Sequence, residues 1–205
     1  MKVVLATQNQ NKMLEITSMF KDMPIQLVML GEFCQDDVEE TGLSFVENAI
    51  IKARFAAKQS RLPAISDDSG LVVPALNGEP GIYSARYSGL GKSNQEHLTK
   101  LLNEIKGIPQ NQRQAYMHCT MVFMRSDHDP SPLIAEADWM GSIIETPRGT
   151  NGFGYDPVFW LPHEHKTAAE LSLEEKNTQS HRFQALTTLK RIMAEKLCML
   201  SQFVN

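Results

Sequence analysis

Leu62-Pro63-Ala64-Ile65-Ser66-Asp67-Asp68-Ser69-Gly70 is the stretch on which the reading of this chain turns. Its apolar start predicts a short strand over 62–66, and the polar residues that follow predict the strand's end. A further strand over 71–76 then leads away from the acidic turn. Adjacent carboxylates repel each other, so Asp67 and Asp68 are buried together only if a cation or hydrogen-bond donors stand beside them. A hard divalent metal is the simplest compensation, because carboxylate oxygens suit magnesium. One aspartate can ligate the ion or take a proton from water, and Ser69 can donate to a phosphate. An ordinary turn or helix cap uses the same residues, which is the plainer alternative.

Upstream, a buried strand over 3–6 enters the polar turn Thr7-Gln8-Asn9-Gln10-Asn11-Lys12. A helix over 12–20 follows, with Met13, Ile16 and Phe20 near one face. The start of a helix collects anions, since unpaired backbone N–H groups and the helix dipole point there. Thr7 and Asn9 add neutral donors and Lys12 adds a charge, although the glycines of a P-loop are absent; a polar turn with a solvated lysine and an asparagine cap is the plainer alternative. A strand over 25–30 and an acidic loop over 36–40 come next. Ser44 and Glu47 then form a capping box ahead of Val46, Ala49, Ile50, Ala53, Ala56 and Ala57, a clear helical repeat. Lys52 sits at the edge of that stripe, close enough to the core to face a cleft, and Glu40 is placed to join Asp68 on a metal. A solvated acidic loop with a snorkelling lysine is the alternative.

Downstream, 78–91 is predicted to be a long loop, 95–105 a helix and 114–124 a strand whose two sides meet different environments. A turn over 126–132 and a run over 133–144 complete a long hairpin, and 158–161 adds a short strand. Thr167 with Glu170 and Ser172 with Glu175 are two more capping boxes, and the last helix covers about 181–200. Interspersed strands and helices, without repeat or linker, place residues 1–205 in one α/β domain with a mixed sheet.

Two further clusters carry chemistry. In Asn151-Gly152-Phe153-Gly154-Tyr155-Asp156-Pro157 the glycines allow close backbone approach, and Phe153 makes a platform for a flat base. Lys176 suits a phosphate, while His181 and Arg182 suit base edges, Arg182 as a fixed fork of donors matching a purine 6-oxo group. A glycine-rich turn with core aromatics and a surface His-Arg pair at a helix start are the plainer readings. His163 and His165 lack a third ligand at metal-site spacing. Metal, phosphate cations and a stacking ring together point to a nucleotide enzyme.

Bulk properties narrow the classes. The 205-residue chain carries a net charge of -4 with a pI near 5.9, which disfavours a protein that holds long nucleic acid by its backbone. A mononucleotide needs only a few local cations. Cys34, Cys119 and Cys198 show neither metal nor redox spacing, the pattern of reduced thiols in a cytoplasmic protein. The first residues turn polar too soon for a signal peptide, and no apolar run approaches the ~18 residues of a membrane span.

The same clusters carry a resemblance. Thr7-x-Asn9-x-x-Lys12, Glu39-Glu40-Thr41-Gly42, Phe45-x-Glu47-Asn48-Ala49, Asp67-Asp68-Ser69-Gly70-Leu71, Pro80-Gly81-Ile82-Tyr83-Ser84-Ala85-Arg86-Tyr87, Gly152-Phe153-Gly154-Tyr155-Asp156-Pro157 and Ser180-His181-Arg182 run in order across nearly the whole chain. In this it closely resembles the inosine triphosphate pyrophosphatase family, specifically the bacterial non-canonical purine nucleoside triphosphate pyrophosphatases. The resemblance implies an elongated mixed sheet flanked by helices, two lobes with the site in the cleft between them, and a homodimer. It implies Mg2+-dependent hydrolysis of ITP, dITP and XTP to the monophosphate and pyrophosphate. By position, Asp68 is then general base and metal partner, and Glu40 a metal ligand. Thr7, Asn9, Lys12, Lys52, Ser69 and Lys176 handle phosphate and sugar. Phe153 stacks on the base, Gly154, Tyr155 and Asp156 shape its pocket, and His181 with Arg182 recognise the 6-oxo edge. The family commonly has glycines in the first loop where this chain has Gln8 and Asn11; Asn tolerates left-handed backbone better than most residues. Rival readings are a pyrophosphatase for other modified nucleotides, a non-catalytic nucleotide-binding regulator and, against the acidic charge, an RNA-binding module.

Overall fold

The computed structural model describes every residue except Gln8, Asp22, Asp37 and 203–205, and every side chain except those of these residues, Asn11 and 197–202. The expectations attached to Gln8 and to the tail beyond Cys198 therefore fall outside the described side chains. Asn11 lies in the first turn of a helix, so its backbone makes no use of the left-handed tolerance.

Strand β1 (Lys2–Leu5) is followed by helix α1 (Gln10–Met19), β2 (Gln26–Met29), α2 (Phe45–Ser60) and β3 (Ala64–Val72). Helix α3 (Asn94–Glu104), the long strands β4 (Gln114–Met124) and β5 (Leu133–Ile143), the short strands β6 (Phe159–Leu161) and β7 (Lys166–Thr167), the single turn α4 (Leu173–Lys176) and α5 (His181–Gln202) complete the chain. Among the described residues, seven strands form one mixed sheet in the order β2-β1-β3-β4-β5-β6-β7. β1 pairs parallel with β2 and β3, while β6 pairs antiparallel with β5 and β7. His118 bonds Asp138 and Thr120 bonds Glu136, a reversed order that makes β4 and β5 the predicted hairpin. Among the described residues no helix is long and apolar enough to cross a membrane.

Alternation along the strands decides which helix meets which face. Val3, Leu5 and Ile65 pack with Ile16 of α1, with Phe20 just after it, and with Ala185, Leu186 and Leu189 of α5. Val4 and Ala64, one residue out of phase, pack with Ala56 and Ala57 of α2. The period of two thus sends α1 and α5 to one face and α2 to the other. These residues belong to one of two compact units, Met1–Asp68, Cys119–Ala137 and Arg182–Asn205. The second comprises Ser69–His118 and Asp138–His181. Its core joins Leu98 and Leu101 of α3 to Leu71, Met117, Trp139, Ile143 and Phe159.

Two expectations are corrected. The acidic stretch is neither a strand end nor a turn: one strand, Ala64–Val72, runs straight through it. The segment 78–91 is no bare loop either. Gly81–Arg86 forms a 3-10 helix, and the Ser84 hydroxyl, which donates to the Gly81 carbonyl, accepts the Leu71 N–H of β3. Turn-forming residues predict local bends, but tertiary hydrogen bonds overrode that preference in both places.

Candidate active site

The strand that carries Asp67 and Asp68 explains how two adjacent acids are buried. Ile65 and Asp67 share one face of β3, and Ala64, Ser66 and Asp68 share the other. Asp67 therefore turns toward α1 and α5, where Lys12 Nζ lies 2.9 Å away and Arg182 3.5 Å away. Asp68 turns toward α2, where Lys52 Nζ donates to its Oδ1 at 2.7 Å and to Glu40 Oε1 at 2.8 Å. The Ser66 hydroxyl, on the same face as Asp68, donates to the Ala49 carbonyl of α2 and locks helix against strand. The repulsion expected between the neighbours is relieved by sending them to opposite faces, Asp67 to Lys12 and Arg182 and Asp68 to Lys52, which also meets Glu40.

Charge on the two aspartates is regulated differently. Burial pushes the Asp67 carboxyl up, but Lys12, Arg182 and Lys52 outweigh it and hold the group well below the usual carboxylate range. At Asp68 burial wins over the pull of Lys52 and Lys12, with Glu40 adding to it, and its pKa is raised. Burial works against the charge of Lys52, yet Asp68, Asp67 and Glu40 together hold its proton more firmly than usual. The group is thus an ammonium gripped by two carboxylates, one of them an unusually good proton acceptor. Asp68 Oδ2 is buried without a hydrogen-bond partner among the described residues.

In the first loop the structure shows the asparagine cap of the plainer reading. Asn9 Oδ1 accepts the backbone N–H of Lys12 at 3.2 Å, capping α1, and Thr7 Oγ1 accepts the Asn9 N–H. Asn9 is exposed and Thr7 half-buried, and Lys12 reaches Asp67 from the turn that they begin. Ser69, the next residue after Asp68 in β3, is half-buried.

A second group forms within the other unit. Asp156 Oδ2 accepts the Phe153 N–H at 2.8 Å and the Lys176 Nζ at 2.6 Å. The same ammonium lies 5.1 Å from the centre of the Phe153 ring, a cation–π distance. Gly152 has φ +74°, and a Cβ there would collide with the Asp156 carboxylate, so glycine is needed both for the turn and for the pair beneath it. The buried Tyr155 hydroxyl donates to the Ser84 carbonyl at 2.9 Å. His181 is buried, its ring 6.3 Å from that of Trp139 at an interplanar angle of 20°. Lys176, read from sequence as a phosphate cation, thus has its ammonium within the Phe153 platform.

Arg182 opens α5 but is no surface residue: it is 2% exposed and forms an ion pair with Glu15 as well as meeting Asp67. Sequence reasoning missed Glu15, and it weighed Asp67 without assigning it a place. A signal for Glu15 existed, since Lys12, Glu15 and Ile16 fall on one helical face and Ile16 marks that face as buried. Among the described residues no group of three or more His, Cys, Asp or Glu side chains gathers as a metal cage. Two carboxylates converging on one cation are what magnesium takes from a protein, because it keeps waters and substrate phosphates as its remaining ligands.

Residues 3–192 match the model of the Ham1 family. A dITP/XTP pyrophosphatase of Escherichia coli (strain K12) is 54% identical over 188 residues, 92% of this chain and 95% of the relative. One of Coxiella burnetii is 47% identical over 195 residues, 95% of this chain and 98% of the relative. The structure of a HAM1 protein from Coxiella burnetii superposes with a TM-score of 0.89 at 47% identity, covering 95% of this chain and 99% of that one. The Staphylococcus aureus Ham1 protein gives 0.85 at 40% identity, covering 96% and 100%. By this family match and these identities over nearly the whole chain, the chain belongs to the Ham1 family.

Proposed function

We propose that the chain hydrolyses non-canonical purine nucleoside triphosphates, dITP, XTP and ITP, between the α and β phosphates, releasing the monophosphate and pyrophosphate. The observation that carries this is the single cation shared by Glu40 and Asp68, in a chain 54% identical to a dITP/XTP pyrophosphatase. Glu40 and Asp68 would hold Mg2+, to which Asp68 Oδ2, buried without a partner among the described residues, is suited. When bound, the ion neutralises phosphate oxygens and supplies an ordered water.

The chain's own groups do the rest. Asp68, its pKa raised by burial, accepts the proton of the attacking water. Lys52 and Lys12 stabilise charge that grows on the departing pyrophosphate, and Thr7, Asn9 and Ser69 donate to phosphate and sugar oxygens. Phe153 stacks on the base, over a platform stiffened by Asp156 and Lys176, and Gly154 and Tyr155 bound the pocket. His181 and Arg182 meet the 6-oxo edge, with Glu15 and Asp67 holding the guanidinium. The 6-amino group of ATP offers a donor where the 6-oxo offers an acceptor, and a buried donor–donor mismatch costs about 1–3 kcal/mol. We take the active form to be a homodimer acting on the cytoplasmic nucleotide pool.

Pyrophosphate release with Mg2+ from ITP, dITP, XTP, GTP, ATP and dTTP, measured side by side, tests the reading. Release from the first three, reduced about 10²- to 10⁴-fold in Asp68→Asn, is the expected result. Comparable turnover of GTP or dTTP would remove the selectivity argument, and no release from any substrate would remove the hydrolase.

A further inference from the structure

Asn48 is completely buried in the first turn of α2. Its Oδ1 accepts the backbone N–H of Gly42 at 2.8 Å. That bond fixes the orientation of the amide, since the flipped group would set N–H against N–H. Nδ2 is therefore a donor, and it is buried with no partner among the described residues. A buried donor without an acceptor is destabilising, so an asparagine here calls for a compensating role on its Oδ1 side.

That role lies in the turn it holds. A Cβ on Gly42 would stand 2.6 Å from Glu47 Cβ, 2.7 Å from Asn48 Oδ1 and 2.9 Å from Asn48 N. The backbone at Gly42 thus rests directly on the first turn of α2. The Leu43 N–H and the Ser44 hydroxyl both donate to Glu47 Oε2 at 2.8 Å, but these bonds are exposed, and the Gly42 bond is the more sheltered one. Two residues before Gly42 stands Glu40, and one helical turn after Asn48 stands Lys52, which grips Glu40. One rigid helix therefore fixes both the root of the loop and the partner of its carboxylate. An aspartate at 48 would offer the same acceptor but would add a negative charge one turn from Lys52, competing for it with Glu40 and Asp68. Asparagine supplies the acceptor without the charge.

We propose that Asn48 is a positioning residue of the metal centre: through Gly42 it holds the loop that carries Glu40, so that Glu40 meets the same cation as Asp68. This rests on the reading of Glu40 and Asp68 as the metal-binding pair. Supporting groups of this kind typically change metal affinity by about 10- to 100-fold.

The test is Mn2+ binding to the full chain by electron paramagnetic resonance, with the metal alone, beside thermal melting of the metal-free protein. Asn48→Leu removes the acceptor, and Gly42→Ala pushes the turn away while leaving Asn48 in place. Both are expected to weaken Mn2+ by about 10- to 100-fold and to raise the Mg2+ needed for half-maximal turnover, with the nucleotide KM at saturating Mg2+ unchanged. Asn48→Asp keeps the acceptor and is expected to bind Mn2+ no worse than the parent. Lower melting in Asn48→Leu and Gly42→Ala with parental Mn2+ affinity would overturn the proposal, and so would a parent that binds no Mn2+. Should Asn48→Leu fail to fold, Gly42→Ala decides. If Mn2+ binding behaves as expected but no nucleotide is cleaved, the positioning role stands and the hydrolase reading falls.

Discussion

Asp68 and Asp156 are both buried carboxylates bonded to a lysine, yet the two pairs are built for opposite ends. Lys52 is divided between Asp68 and Glu40, and Asp68 keeps one oxygen without a partner among the described residues. At Asp156 a single oxygen takes both the Lys176 ammonium and the Phe153 N–H, with Gly152 closed over it. The first pair can exchange partners when another cation or a phosphate arrives. The second is committed to holding a ring and a turn. On the proposed function, reactivity and recognition would be separated by how an ion pair is shared, not by which residues form it.

The sharpest way to break that contrast is to remove Lys176. Asp156 and Lys176 are both nearly fully buried, and removing one partner of a buried ion pair costs about 3–5 kcal/mol. Lys176→Met should lower the melting midpoint by about 10 °C on the scale of ~2–4 °C per kcal/mol for a chain of this size. Adding Asp156→Asn should recover part of the loss. Lys52→Met should melt closer to the parent, because Glu40 is partly exposed and Asp68, its pKa already raised, can take up a proton in place of the lost charge. Equal losses at the two lysines would erase the distinction.

A smaller effect is expected at the ring. Phe153→Ala should weaken nucleotide binding by about 1–3 kcal/mol, the worth of one base stacked on an aromatic, and should do so equally for ITP and XTP. Turnover at saturating substrate should change little, since a ring that stacks on the base binds substrate and transition state alike. A fall in kcat with KM unchanged would instead place the ring in the chemistry.

Much of this was legible beforehand, and the failures share one cause. The capping Asn9, the hairpin and the helix behind Ser44 follow from local patterns that structure then obeyed. The strand through Asp67 and Asp68 did not, because Asp-Asp-Ser-Gly has the composition of a turn and its extension depends on Lys12, Lys52 and Arg182. Those cations arrive from α1, α2 and α5, at separations no local rule spans. The same holds for Ser84, whose hydroxyl holds Leu71 and whose carbonyl holds Tyr155. Lys176 was visible as a cation, but its partner Asp156 could only be found in three dimensions.

Metal affinity offers a finer cut. In the metal-free chain the ammonium of Lys52 stands where Glu40 and Asp68 converge, so it competes with a divalent ion for both carboxylates. Lys52→Met should bind Mn2+ about tenfold more tightly, roughly 1.4 kcal/mol, whereas Lys12→Met, which removes equal charge from Asp67, should gain clearly less. Equal gains would mean that only net charge matters.

The weakest effect, and the most diagnostic of how each region is held, is the response to pH. Asp67 is kept well below the usual carboxylate range: burial opposes this, and Lys12, Arg182 and Lys52 outweigh it. Its contribution to stability is therefore complete above the unfolded value of about 4 and is lost as pH falls through the depressed folded value. Tyr155 is the mirror case. Burial alone raises its pKa, so its contribution is complete below the unfolded value of about 10 and is lost as pH climbs toward the raised folded value. Denaturant melts in chelator should thus show an acid edge that flattens in Lys12→Met, while the fall above pH ~10 persists there and lessens in Tyr155→Phe. Arg125 depresses Asp129 in the same acid window, so the comparison that counts is each variant against the parent. If Lys12→Met altered the alkaline edge, or Tyr155→Phe the acid one, the two regions would not be electrostatically independent, and the division between a charged cluster and a committed platform would fail.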